Sequence, residues 1–184
     1  MTKANHGALL ACLIATLGVG TSCEGQPARS TDDLQQAPRA RPTQLDTRCT
    51  VTRIVDGDSF ECGTAGRVRL IGIDAPELNQ RPYGNQSRDV LIAIMPIGRE
   101  VRLEFDVRPT DPYGRALAYV WDDSVLINED MVKRGWALAE RFPPNVRLQS
   151  RLNSAQQLAK DAKSGLWASG GFDCAPADRR RKRC

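Results

Sequence analysis

Residues 67–77 read RVRLIGIDAPE. Val68 and Leu70 alternate with arginines, so one face of the segment is apolar, as in a strand packed on one side. The strand is expected to run to Ile73. Asp74 follows, and Pro76 then removes a ladder donor and stiffens the exit. Two carboxylates, Asp74 and Glu77, thus leave a rigid strand end at a fixed separation. Upstream, residues 50–55 alternate apolar and polar and meet Asp56-Gly57-Asp58, a turn signal, and residues 59–62 resume the extended pattern. Residues 63–66 make a second turn. If the strands on either side of it pair, Asp58 and Asp74 lie together at one rim.

Downstream, residues 100–107 (EVRLEFDV) alternate with Val101, Leu103, Phe105 and Val107 inward, and residues 115–121 form another strand of similar length. Helices interrupt and follow. Residues 84–95 place Val90, Leu91 and Ile94 at helical spacing before Pro96. In residues 128–134, Asn128 can cap, Glu129 and Asp130 occupy the first turn, Lys133 and Arg134 the last, and Gly135 follows. Residues 146–164 put Leu148, Leu152, Ala155, Leu158 and Ala162 on one stripe. Five short strands with about three α-helices predict an α+β domain, a β-barrel with helices, over residues 49–168. A five-stranded OB-fold barrel fits best.

The flanks differ in character. Residues 1–22 carry Lys3 and no acid, then an apolar run over residues 8–19, then Gly20, Thr21 and Ser22. This is the layout of a signal peptide, too short to span a bilayer. The protein is therefore expected to be exported, secreted or periplasmic. A lipid on Cys23 would anchor it to a membrane, although Gly20 stands where such signals usually carry Leu; soluble export is the alternative. Residues 23–48 are polar, contain Pro27, Pro38 and Pro42, and read as a disordered tether. With Cys12 and Cys23 set aside, Cys49, Cys62, Cys174 and Cys184 remain, and disulfides suit an exported chain. Of three possible pairings, Cys49 with Cys62 is favoured because a tight turn would bring two short strands together, which leaves Cys174 with Cys184. Residues 46–163 hold 17 basic and 17 acidic side chains, so the net charge of +4 lies outside them. Most of it is Arg179, Arg180, Arg181, Lys182 and Arg183 in a basic tail over residues 169–184. Such a run either attracts polyanions or is simply solvated.

The single histidine is His6, inside the expected leader, so the mature chain has no imidazole. That excludes Ser-His-Asp triads, histidine bases and histidine metal ligands. Two neighbouring carboxylates repel unless a cation lies between them. Asp58, Asp74 and a nearby carbonyl make a sparse site for a hard cation such as calcium. Arg69 and Arg115, the latter after Asp111-Pro112-Tyr113-Gly114, suit the extra charge of a five-coordinate phosphorus. Without histidine, a carboxylate must position or deprotonate the attacking water, and Glu77 is the candidate.

The segments VTRIVDGDSF, RVRLIGIDAPE, DPYGRALAYV, LINEDMVKRGWA and the closing helix to SGLW occur in order across residues 50–167. Together they resemble the staphylococcal nuclease (thermonuclease) family. The resemblance implies a calcium-dependent phosphodiesterase that cuts DNA and RNA, single strands favoured, and leaves 3′-phosphate ends. It implies Asp58, Asp74 and the Ala75 carbonyl as metal ligands, Arg69, Glu77 and Arg115 as catalytic residues, and Tyr113 as a substrate contact. Departures from the family pattern are Ala75 for threonine, Pro112 for lysine, and Glu140 and Phe142 where tyrosines frame a base; Phe142 can still stack. A monomer without protein partners is expected. The alternative is an OB-fold barrel that binds nucleic acid without cutting it, which would not need Glu77 beside the other four charges.

Overall fold

The computed structural model describes residues 47–184 apart from Thr64. The expected signal peptide, Cys23 and nearly all of the tether lie outside the described residues. Burial of Cys49, Val51 and Ile54 organises β1 (Thr47–Ile54), so the barrel begins two residues before the expected boundary. β2 (Ser59–Cys62) and β3 (Gly66–Leu70) follow through the two tight turns, and β4 (Ile73–Asp74) is a separate two-residue strand. α1 (Tyr83–Ile94) leads to β5 (Glu100–Thr110) and β6 (Ala116–Asp122). Then come β7 (Val125–Leu126), α2 (Ile127–Lys133), β8 (Leu138–Ala139), α3 (Gln149–Asp161), α4 (Leu166–Ser169) and α5 (Pro176–Arg180).

β1 pairs antiparallel with β2 on one side and with β5 on the other, with Cys49 opposite Val101. β2 pairs with β3 and β5 with β6. β3 and β6 then meet in parallel, Leu70 opposite Ala118. That last pairing closes the ring β1-β2-β3-β6-β5 into a five-stranded OB-fold barrel. Phe60, Val68, Leu70, Leu103 and Val120 fill it with almost no exposed surface. Each such side chain stabilises the fold by roughly 1.5–3 kcal/mol. Disulfides join Cys49 to Cys62 and Cys174 to Cys184.

Four local expectations need correction. The strand expected to run to Ile73 stops at Leu70, because Gly72 adopts φ +77° and turns the chain. β4 then pairs with β8 instead of continuing the barrel. Val107 points to solvent, since the β5–β6 register shifts between Phe105 and Thr110 and Asp106 takes the inward place. Asn128 is not a cap; it is fully buried within α2, which Leu126 precedes. The buried stripe of α3 is Leu152, Ala155 and Ala159, and Leu158 is exposed. Beyond the three expected helices, α4 and α5 fold the tail back onto the domain. Among the described residues no helix is long and apolar enough to cross a membrane.

Candidate active site

Three loops converge at one rim of the barrel. The first is the turn between β1 and β2. Asp56 accepts the Asp58 N–H at 3.0 Å through its own Oδ1, which shapes the turn. Gly57 is required by close approach: a Cβ there would lie 2.1 Å from Ser87 Oγ and 2.6 Å from the Ala75 Cβ. Asp58 is buried, and its Oδ2 accepts the Ala75 N–H at 2.9 Å while its Oδ1 accepts the Ser59 hydroxyl at 3.0 Å. The Asp58 carboxylate thus fastens the first loop to the second.

The second loop runs from the Gly72 bend to α1. Asn128 holds the bend: its amide donates to Ile71 O at 2.8 Å and its Oδ1 accepts the Val120 N–H at 2.8 Å. Asp74 emerges buried from β4. Gln80 fixes the backbone of Glu77 by donating its N–H to Glu77 O at 2.8 Å and accepting the Glu77 N–H on its side chain at 2.9 Å. The third loop joins β5 to β6. Asp111 accepts the backbone N–H of both Tyr113 and Arg115 at 2.9 Å, and Arg115 Nε donates to its other oxygen at 2.7 Å. The Arg115 guanidinium lies 5.8 Å from the Tyr113 ring centroid.

Two arginines bridge the carboxylates. One guanidinium nitrogen of Arg69 lies 3.1 Å from Asp58 Oδ2 and 3.5 Å from Asp74 Oδ1. Arg69 is itself buried, so this face of β3 is covered as well as the apolar one. Arg180, from α5, grips both oxygens of Asp74 at 2.9 Å and donates to Glu77 Oε1 at 2.8 Å.

These groups surround a cavity of about 400 Å³. Asp58, Arg69, Ala75, Glu77, Tyr113, Arg115 and Phe142 line it, together with Asp56, Arg67, Glu140 and Arg180. Asp74 does not line it; it is buried and joined to the lining through its ion pairs with Arg69 and Arg180. The cysteines are elsewhere: Cys49 and Cys62 tie β1 to β2 in the core, and Cys174 and Cys184 close the tail. Negative charge is crowded here. Burial, with the neighbouring Asp58 charge, pushes the Asp56 carboxyl up to about 6. Burial also raises the Asp74 carboxyl despite the Arg180 hydrogen bond. Glu140 is raised by burial and by Asp74.

The residues present fit a hard divalent ion. The two buried donors are carboxylates held close enough to share one guanidinium nitrogen, and oxygen is the ligand calcium takes. Among the described residues no three His, Cys, Asp or Glu side chains converge on a common metal position. An ion there would therefore complete its shell with backbone carbonyl and water. Sequence reasoning missed Arg180, Gln80 and the role of Asn128. The basic run between Cys174 and Cys184 was the one signal for Arg180, and it carried no hint of which arginine would turn inward.

The family model described as Staphylococcal nuclease homologue matches residues 67–169. The thermonuclease of Staphylococcus hyicus is 35% identical over 127 residues, 65% of this chain and 75% of that protein. The thermonuclease of Staphylococcus intermedius is 36% identical over 125 residues, covering 64% of this chain and 74% of its own length. Endonuclease YncB of Bacillus subtilis (strain 168) is 28% identical over 152 residues, 77% of this chain and 72% of that protein. The family match takes in β3 to β8, with Arg69, Asp74, Glu77 and Arg115. The chain belongs to the staphylococcal nuclease homologue family.

Proposed function

We infer that the chain is an exported, calcium-dependent endonuclease that hydrolyses phosphodiester bonds of DNA and RNA. One observation carries this reading: Asp58, Arg69, Glu77 and Arg115 face a single cavity, with Asp74 linked to it through Arg69. Asp58, Asp74 and the Ala75 carbonyl would hold calcium, which when bound supplies positive charge beside the scissile phosphate. Arg69 and Arg115 donate to the phosphoryl oxygens and stabilise the extra charge of the five-coordinate transition state. Loss of one such donor typically costs ~3–4 kcal/mol of transition-state stabilisation. Glu77 positions the attacking water and takes its proton, in a mature chain that has no histidine for the task. The products would carry 3′-phosphates.

Tyr113, 85% exposed at the cavity mouth, and Phe142 offer rings to unpaired bases, which suits single strands. A non-catalytic binder would gain only the ion pair with Arg180 from a carboxylate at Glu77, not its place on the cavity wall. Two disulfides support export to an oxidising compartment, with or without a lipid at Cys23. The chain is proposed to act as a monomer. A gel assay of single-stranded DNA tests the activity: degradation with added calcium is expected, and cleavage that persists in EGTA would overturn the metal assignment.

A further inference from the structure

The tail is a constructed element. Residues 174–184 form a loop closed by the Cys174–Cys184 bond and containing α5. It is anchored to the loop before α1, where the Gln80 side chain donates to Cys174 O at 3.0 Å. Within it Arg183 pairs with Asp178 at 3.3 Å and Arg179 donates to Cys184 O at 3.1 Å. Arg180 alone of the basic run reaches Asp74 and Glu77. Asp74 is almost inaccessible (4% side-chain exposure), and Arg180 takes both of its oxygens.

We propose that this disulfide-closed loop is a built-in plug, in which Arg180 occupies Asp74 and Glu77 as a counter-cation and competes with the divalent ion for the site. The proposal rests on the assignment of Asp58 and Asp74 as the ion's ligands. A bidentate guanidinium satisfies a carboxylate in charge and in geometry. An ion can use Asp74 only after Arg180 swings away, and a water on Glu77 meets the same obstacle. The disulfide keeps the guanidinium near the pocket and so raises its effective concentration there. A pair closed about 90% of the time lowers apparent ion affinity about tenfold.

Calorimetric titration of the full mature chain with calcium, at fixed ionic strength, tests this. Arg180→Ala is expected to tighten calcium binding about tenfold. The Cys174→Ser/Cys184→Ser variant, which keeps every charge, should tighten it in the same direction. Arg183→Ala removes an equal charge from the same loop outside the pocket and should change affinity less than about twofold, which separates competition from general electrostatics. Unchanged or weaker binding by Arg180→Ala, or equal tightening by Arg183→Ala, would overturn the plug while leaving the ion site intact. If Asp58→Asn binds calcium as well as the parent chain, the ion assignment itself fails, and the plug with it.

Discussion

Glu77 shows what a single residue reveals before folding. Glu77 stands three residues after Asp74 across a proline, and a chain whose only histidine is His6 leaves few other bases. Replacing it by Gln preserves shape and hydrogen bonding while removing the base. Glu77→Gln should slow cleavage by roughly 10²–10⁴-fold with nucleotide binding retained. Single-turnover kinetics beside a binding titration would check both halves, and an unimpaired variant would remove Glu77 from the chemistry. Asp111 makes a different prediction. Burial alone would raise its carboxyl, but the Arg115 hydrogen bonds outweigh this and hold it below its usual value of 3.8. A depressed carboxyl stabilises the fold above the unfolded pKa and loses that contribution as pH falls through the folded one. Denaturation midpoints should therefore fall less between pH 5 and pH 3 (about one unit either side of an ordinary carboxyl) for Asp111→Asn than for the parent. An equal fall would contradict the pairing. Arg180 shows the opposite limit: it sits among four other basic residues of the same run, and only the folded path of the tail singles it out.

At the scale of elements, periodicity placed the five barrel strands and three main helices close to their observed bounds, because one-sided burial imposes period 2 or 3.6 directly. It failed where a tertiary contact reset the register. Val107 belongs to the run of alternating residues yet faces solvent, since the shift after Phe105 turns Asp106 inward to accept the Arg147 N–H at 3.0 Å. Asn128 looked like a helix cap because its type and position suit one. Its partners lie on other elements, Val120 on β6 and Ile71 far upstream beside the Gly72 bend, so no helix-local pattern could identify them. Asn128→Ala leaves a buried carbonyl and a buried N–H without their partner, at a cost of about 1–3 kcal/mol. Chemical denaturation should show that loss, with cleavage reduced as the Gly72 bend loosens. A stability change under about 0.5 kcal/mol would mean the bend holds itself.

The described residues form a barrel whose closure, β3 against β6, brings three sequence-distant loops to one rim. The proximity of Asp58 and Asp74 at that rim was legible because they flank strands that a hairpin must pair. The crowding of Glu140 against them was not, since it depends on the pairing of β8 with β4. A bound ion should consequently stabilise the entire domain. Calcium at 100 times its dissociation constant contributes about 2.7 kcal/mol. The thermal midpoint should rise on the order of 10 °C, and Asp58→Asn should abolish the rise; an equal rise in that variant would place the ion elsewhere. The most direct test is a crystal structure with calcium and a nucleoside 3′,5′-bisphosphate, the ion identified by anomalous scattering. Calcium held by Asp58 and Asp74, a phosphate facing Arg69 and Arg115, and Arg180 withdrawn from Asp74 are expected. A nucleotide bound away from this cavity, with no ion on either aspartate, would contradict that expectation.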